Sequence, residues 1–280
     1  MCVIAPPLSF LASPPQDMWW GTLGTIRPFS NFRPDQDAME IQAALDGKDA
    51  GTLVNLLTNR NNAQRQVIAV EYKKMTNKDL NACLKKALSG DLENLLLQLL
   101  MLPEHFDAQR LQDAMAGLGT DEETLMEILS TRSKEQLQQI NNAFQQWFKK
   151  DLEKELRGET SGDFAKLVVA LLKILLITHI QFSPQRVKAL GRVGAALTSP
   201  RLCFGIVQCI QNPEVYLAKR LSTMKTSLVH GIMVSHSEED LLCIRAAFLK
   251  LTGNSLYSTL QKHFKGEHQQ ALLGICRSED

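Results

Sequence analysis

Apolar residues return at helical spacing along most of the chain. Between positions 125 and 148 they recur every three or four residues, as at Leu137, Ile140 and Phe144, and this spacing places them on one face of a helix. No stretch alternates apolar and polar residues in the way that a strand does. Aspartate, asparagine or serine precedes many of these segments and glycine separates them, as is typical of helix starts and turns. The pattern predicts an all-α protein.

The helical pattern repeats along the chain at fixed offsets. The phrase Leu57–Arg60 returns as Leu129–Arg132, 72 residues later, and the same offset relates Gly90 to Gly162. An offset of 104 then relates Gly162 to Gly266. Fixed offsets of this size indicate helical repeats that stack on their neighbours. The predicted organisation is an irregular tail (1–20), a first repeat (21–100), a second repeat (101–173), a truncated third segment (174–211) and a last repeat (212–280).

The third segment is too short to be a complete repeat. The phrase Asn212–Leu221 echoes Leu102–Leu111 and therefore marks the start of a new repeat. Only about forty residues separate it from Lys173, where about seventy would be needed for a full repeat. We expect the missing length to uncover apolar faces of the neighbouring repeats, which favours marginal stability or self-association into an oligomer.

Composition and charge narrow the class of protein. The chain has 280 residues, of which 44% are hydrophobic and 22% charged, as in ordinary globular proteins. Its net charge of +1 provides no overall attraction to nucleic acid or membranes, and no groove rich in Lys, Arg and aromatic residues is recognisable, so no nucleic-acid partner is predicted. The six cysteines are scattered without a Cys-x-x-Cys pair, which favours a reducing, cytoplasmic compartment.

Motifs that would indicate an enzyme are missing from the sequence. It contains no His-Glu-x-x-His, no Gly-x-Ser-x-Gly and neither of the glycine-rich nucleotide-binding motifs. His230 with His236, and His263 with His268, lack further ligands at zinc spacing, and we interpret these four as surface residues. The sequence predicts a protein that is not an enzyme.

One stretch does predict a binding site. Gly117 and Gly119 belong to the phrase Met115–Asp121, and two glycines one residue apart allow a tight turn that points several backbone carbonyls at one place. Glu159 follows 42 residues after Gly117, in a second polar turn. Backbone carbonyls with one bidentate carboxylate, completed by water, are ligands that suit Ca²⁺.

The same stretches resemble the annexin family. The resemblance lies in Gly119–Glu122, Thr160–Phe164, Leu57–Arg65 and Ile232–Ser235. It implies an annexin-like array of helical repeats, namely a curved disc of four repeats with five helices each and calcium loops on the convex face. In this chain the third repeat of that core is eroded. The resemblance also implies a cytoplasmic protein that binds acidic phospholipid membranes peripherally and in a calcium-dependent way.

By the same resemblance, the second repeat holds one Ca²⁺. Its ligands are the backbone carbonyls of Met115, Gly117 and Gly119 and the carboxylate of Glu159, and open coordination positions are left for water and a lipid phosphate oxygen.

The other repeats have lost this site in the sequence. In the first repeat the loop is two residues shorter and Ala87 stands where the second repeat has Glu159. In the last repeat the Gly-x-Gly-Thr segment is missing and His263 stands at the position of the acid. With one site in place of several, we expect weakened calcium-dependent binding, because sites that act together gain on the order of 10²–10⁴ in avidity.

An alternative function stays open at this point. The loss of most calcium loops also favours a calcium-independent, annexin-derived scaffold that binds a protein partner, with the N-terminal tail as a candidate surface for that partner. No amphipathic helix is recognisable in that tail between Met1 and Pro15. Replacement of Glu159 by Gln separates the two functions, because a scaffold does not depend on this carboxylate.

Overall fold

All regular structure that we describe is helical. The computed structural model describes residues 23–117, 119–160, 162–177, 209 and 211–277. Within these ranges it contains fifteen helices and no strands, which confirms the all-α prediction. The helices are α1 (Pro34–Gly47), α2 (Ala50–Thr58), α3 (Asn62–Thr76), α4 (Leu80–Ala87), α5 (Gly90–Leu100), α6 (Pro103–Met115), α7 (Glu122–Thr131), α8 (Lys134–Phe148), α9 (Leu152–Glu159), α10 (Gly162–Ile177), α11 (Pro213–Leu221), α12 (Thr226–His236), α13 (Leu241–Thr252), α14 (Leu256–His263) and α15 (Gly266–Cys276).

The helices fall into three sets of five. We call α1–α5 repeat I, α6–α10 repeat II and α11–α15 repeat IV. The fourth helix of each set has eight residues, and the third is longer than either of its neighbours. The expected irregular tail (1–20) and most of the short third segment (174–211) lie outside the described residues.

The offsets in the sequence correspond to shared capping contacts. Asp49 and Asp121, 72 residues apart, each accept a hydrogen bond from the backbone N–H three residues further on, and so satisfy a free donor at the start of α2 and of α7. Asn61 and Ser133, again 72 apart, each form a reciprocal capping box at the start of α3 and of α8. The local chemistry that starts each helix is therefore repeated together with the sequence.

Repeats I and IV share one apolar core, and repeat II has its own. The first core joins side chains of both repeats, because α2 packs on α15 and α5 packs on α12 and α15. The second core is formed by buried residues between Ala108 and Leu172. It includes Leu167, Val168 and Leu172 of α10, so part of the most apolar stretch of the sequence is a buried helix face. No helix among the described residues is long and apolar enough to cross a membrane.

Repeats II and IV meet through buried charges. Glu127 on α7 is fully buried, and the guanidinium groups of Arg110 and of Arg220, on α6 and α11, both bond its carboxylate. The Arg110 contact, from Nη2 to Oε1, is 2.7 Å long. Burial opposes ionisation of Glu127, but the two arginines outweigh it and hold the pKa of this carboxyl below its ordinary value. The ionised pairing fixes α6 and α7 against α11.

Candidate calcium site

The loop between α6 and α7 is held open by two glycines. It is closed at its base by a hydrogen bond from the backbone N–H of Asp121 to the carbonyl of Ala114, 2.8 Å long. Within it, Gly117 has φ +107° and Gly119 has φ +105°, values that L-residues rarely adopt. A Cβ added at either position would meet nothing within 4 Å. These glycines are therefore required by the course of the backbone and not by close packing.

Glu159 lies beside this loop. It is the last residue of α9 and is exposed to solvent. The hydroxyl of Thr120 donates a hydrogen bond of 2.6 Å to the backbone carbonyl of Glu159. Two segments that are 39 residues apart in the sequence are thereby brought together. The structure thus places the loop next to the residue that the sequence paired with it.

The donor groups at this place suit a hard cation. The side chain of Met115 is buried, with 3% of the residue exposed, so this residue offers the site its backbone carbonyl only. Among the described residues, no group of three or more His, Cys, Asp or Glu side chains could hold a metal ion. A site here would therefore consist of backbone carbonyls and the one carboxylate of Glu159. Ca²⁺ accepts such all-oxygen ligands, whereas zinc and copper favour nitrogen and sulfur.

The corresponding turn in repeat I has a different course. Its base is closed in the same way, because the backbone N–H of Asp49 bonds the carbonyl of Ala44 at 2.8 Å. Between these two residues lie four positions, where the loop of repeat II has six. Helix α1 continues to Gly47, and Lys48 completes the turn in the left-handed conformation with φ 55°. Ala87, the last residue of α4, is exposed and offers no carboxylate.

Repeat IV connects α11 and α12 by an even tighter turn. Met224 has φ 52° and is buried, so the turn packs against the core instead of opening to solvent. Lys225 stands at the N-cap of α12 and makes no capping bond with its side chain. His263 is the last residue of α14 and is exposed, with its ring 5.0 Å from that of Phe264. Repeat IV therefore has no double-glycine loop between α11 and α12 and no acid at the last position of α14.

The interpretation of the histidines as surface residues is wrong for two of them. His230 and His236 are 3% and 2% exposed. His230 Nε2 lies 2.7 Å from His268 Nε2, so the two neutral rings share one proton between them. Burial first, and the neighbouring His268 ring second, lower the pKa of His230 to about 4.

A signal for this pair was present in the sequence. His230 lies 104 residues after Met126, and His268 lies 104 residues after Phe164. Both positions in repeat II carry apolar residues that are buried in its core. The repeat offset therefore predicts apolar surroundings for both histidines. The structure buries His230 and leaves His268 partly exposed.

Comparison with known proteins identifies the family. The annexin family model matches residues 36–99, 106–171 and 218–275. Annexin A3 of Bos taurus is 33% identical over 320 aligned positions, which cover 94% of this chain and 99% of the relative. The solved structure of annexin III matches with a TM-score of 0.85 at 32% identity, covering 94% of this chain and 99% of that one. Chicken annexin V matches with a TM-score of 0.81 at 32% identity, covering 92% and 100%. The chain belongs to the annexin family, whose members bind phospholipid in a calcium-dependent way.

The comparisons also agree with an eroded third repeat. The three matched segments fall on repeats I, II and IV and leave out residues 172–217. The alignment with bovine annexin A3 has 320 positions, whereas this chain has 280 residues, so at least 40 aligned positions face a gap in this chain. The fold is an annexin array of helical repeats in which the third repeat is shortened.

Proposed function

We propose that this protein binds acidic phospholipid membranes through a single calcium ion held in repeat II. The carbonyls of Met115, Gly117 and Gly119 and the carboxylate of Glu159 would be its ligands. The observation that supports this most directly is the Thr120–Glu159 hydrogen bond, because it holds the loop beside the acid. When bound, Ca²⁺ supplies a positive charge that links the protein's oxygens to a phosphate oxygen of a lipid.

The chain's own residues prepare this place in two ways. The backbone at Gly117 and Gly119 adopts its positive φ values without the strain that a side chain would add. Asp121 caps α7, through bonds of 3.0 and 2.8 Å from the backbone and hydroxyl of Thr124, and this fixes the exit of the loop. The ligand positions are thereby set before the ion arrives.

The membrane affinity of such a protein should be weak. Repeats I and IV lack the double-glycine loop and the acid, so one site acts alone and gains no avidity from others. We infer a cytoplasmic protein that binds membranes peripherally and binds them more strongly when calcium is high. We also propose that the repeats occupy residues 21–100, 101–173 and 212–280, with the shortened third repeat at 174–211.

Cosedimentation with phosphatidylserine vesicles across a calcium titration tests the proposal. Glu159→Gln should raise the calcium needed for half-maximal binding at least about tenfold, which corresponds to about 1.4 kcal/mol. Glu40→Gln is the matched control, because Glu40 is also exposed but lies in the middle of α1, away from both the loop and the helix ends beside it. It should bind like the unmodified protein.

Two outcomes would contradict the proposal. Equal calcium dependence in Glu159→Gln and in the unmodified protein would show that the ion binds elsewhere. No calcium-dependent binding by a protein whose circular dichroism is that of a folded helical chain would favour the alternative, a calcium-independent scaffold for a protein partner. The tight turns of repeats I and IV are the observation on which that alternative rests.

A further inference from the structure

Helix ends from all three repeats lie on the same side of the molecule as the candidate calcium loop. Arg220, the next-to-last residue of α11, donates to the carbonyl of Glu123 at 3.2 Å and to the hydroxyl of Thr124 at 3.1 Å. Glu123 and Thr124 belong to the first turn of α7, directly after the calcium loop. The turn between α11 and α12 therefore lies next to this loop.

Repeats I and IV meet at this same side. His230 Nε2 lies 2.7 Å from His268 Nε2, and α5 packs on both α12 and α15. Burial lowers the pKa of both histidines, and the negative charge of Asp91 partly offsets this effect. Asp91 is the second residue of α5, His230 the fifth of α12 and His268 the third of α15. The starts of these three helices are therefore adjacent. It follows that the α4–α5, α11–α12 and α14–α15 connections share one face with the calcium loop of repeat II.

The α1–α2 turn of repeat I is closed in the same way as the loop of repeat II, and this equivalence assigns it to the same face. Repeats I and IV carry lysines there where repeat II carries other residues. Lys48 takes the place of Thr120, Lys225 that of Asp121, and Lys262 that of Gly158, at the offsets of 72 and 104. All of these lysines are exposed. We define the lysine face as six residues: Lys48, Lys85, Lys86, Lys225, Lys262 and Lys265.

These ammonium groups are available to an external anion. Among the described residues, none of the six takes part in an ion pair. The acids on the same connections and in the first helical turns after them are Asp46, Asp49, Asp91, Glu93 and Glu267. Asp46 accepts a bond from Gln42, and Asp49 is occupied by the backbone and hydroxyl of Thr52. Repeat II has the opposite balance at its end of the face, where Asp121, Glu122, Glu123 and Glu159 lie close together in the sequence and in space.

We propose that the lysine face binds the phosphate groups of an anionic membrane directly, without calcium. The proposal builds on the proposed function, because both contacts lie on one face and would touch one membrane. Repeat II is acidic there and needs a cation to approach lipid phosphate, whereas repeats I and IV carry their own cations. Lysines near an anionic leaflet each add attraction, and this attraction falls off within a Debye length. Loss of two calcium sites is thus accompanied by a second, calcium-independent mode of contact.

The arrangement favours a membrane over single-stranded nucleic acid. Binding of single strands requires exposed aromatic side chains on which bases stack. The one aromatic residue within the basic connection of repeat IV, Phe264, is 7% exposed and belongs to the shared core. The lysines are spread over the ends of several helices in two repeats, as suits a broad surface of phosphate groups.

The test is vesicle binding in the presence of a calcium chelator. The face variant is Lys86→Gln with Lys225→Gln and Lys262→Gln. The matched control is Lys73→Gln with Lys78→Gln and Lys250→Gln, which removes the same charge from exposed residues. Those three lie before α4 or α14, at the ends of these eight-residue helices opposite to the lysine face, about 12 Å away.

The expected result is specific to lipid charge and to position. At low ionic strength the unmodified protein should bind vesicles that contain phosphatidylserine and not vesicles of phosphatidylcholine alone. The face variant should lose at least about tenfold in affinity, the control less than about twofold, and added salt should weaken the binding of the unmodified protein. Glu159→Gln should keep this binding while it loses the increase that calcium brings.

Other results would overturn the proposal and leave the calcium site to be judged separately. No binding under chelation would reject the lysine face, even if calcium then produced binding. If the face variant and the control lost vesicle affinity equally, the binding would depend on net charge and not on the position of the lysines. Capture by duplex DNA without binding to phosphatidylserine vesicles would assign the lysines to nucleic acid. Binding under chelation that calcium does not increase would reject the calcium proposal and retain this one.

Discussion

Repeats I and II share their helix caps and differ in one loop. Asp49 and Asp121 cap the second helix of each repeat, and both close the preceding turn onto an alanine carbonyl at 2.8 Å. Repeat I encloses two residues fewer in that turn, and it carries Ala87 where repeat II has Glu159. The helices form in both repeats because caps and core lie outside the loop. The fold of a repeat is therefore preserved while its candidate metal chemistry is lost.

Repeats I and II also share a buried Asp–Arg ion pair and differ in the further partners of its aspartate. In repeat I, Arg60 bonds the Asp37 carboxylate at 2.6 and 2.9 Å, and in repeat II, Arg132 bonds Asp107 at 2.6 and 3.3 Å. Asp107 has further partners, because Arg110 Nη1 lies 3.5 Å away and the hydroxyl of Ser235 donates to it at 3.2 Å. Among the described residues, Asp37 has a side-chain bond to Arg60 alone.

The largest predicted effect is a difference in stability between variants that lose the arginine of the buried ion pair in repeat I and in repeat II. Arg60→Met should destabilise the protein by about 3–5 kcal/mol, because it leaves the Asp37 carboxylate buried without a partner. Arg132→Met should cost at least about 1 kcal/mol less, since Arg110 and Ser235 still serve Asp107. Urea unfolding followed by circular dichroism measures both. Equal losses would mean that the extra partners of Asp107 contribute nothing.

A control for this prediction comes from repeat IV. At the positions of Asp107 and Arg132 that repeat has Leu217, which is fully buried, and His236. An apolar residue is therefore tolerated at the aspartate position. Adding Asp37→Leu to Arg60→Met should recover most of the lost stability, because replacing both charges of a buried pair costs far less than removing one of them.

The sequence predicted the helices better than the contacts between repeats. Period, caps and offsets are local, so α1–α10 follow from them. The placement of the candidate calcium loop beside Glu159 follows from the family resemblance. The bonds of Arg220 to Glu127 and Glu123, and the pairing of His230 with His268, join residues 38 to 97 positions apart. Periodicity within a repeat does not determine which repeat packs on which, so these contacts are visible only in the folded structure.

The next largest effect concerns acid stability and extends the comparison to repeat IV. There His230 replaces the buried Met126 of repeat II and the buried Val54 of repeat I. The pKa of His230 is lowered to about 4 in the folded protein, so the unfolded chain binds a proton first as pH falls. The free energy of unfolding is therefore not reduced by His230 above about pH 6.5. It falls by about 2–3 kcal/mol between there and pH 4, because protonation of His230 favours the unfolded chain.

His230→Met supplies the matched variant for that prediction, because methionine is the residue of repeat II at this position. Between pH 7 and pH 4 its free energy of unfolding should fall by about 2–3 kcal/mol less than that of the unmodified protein. Unfolding by urea at several pH values measures the difference. Parallel pH profiles for the two proteins would show that His230 is as easily protonated in the folded as in the unfolded state.

The smallest predicted effect is on calcium dependence, and it compares one glycine in the loop of repeat II with one glycine in the corresponding turn of repeat I. Gly117→Ala places a side chain at φ +107°, which costs about 1–3 kcal/mol of local strain. The calcium needed for vesicle binding should therefore rise roughly tenfold, since about 1.4 kcal/mol corresponds to that factor. Gly47→Ala in repeat I is the matched change, because Gly47 ends α1 without a positive φ and has open space around it. Alanine there should raise stability by about 0.5–1 kcal/mol and leave calcium dependence unchanged. If both substitutions altered calcium dependence alike, the backbone of repeat II could not be what distinguishes the two repeats.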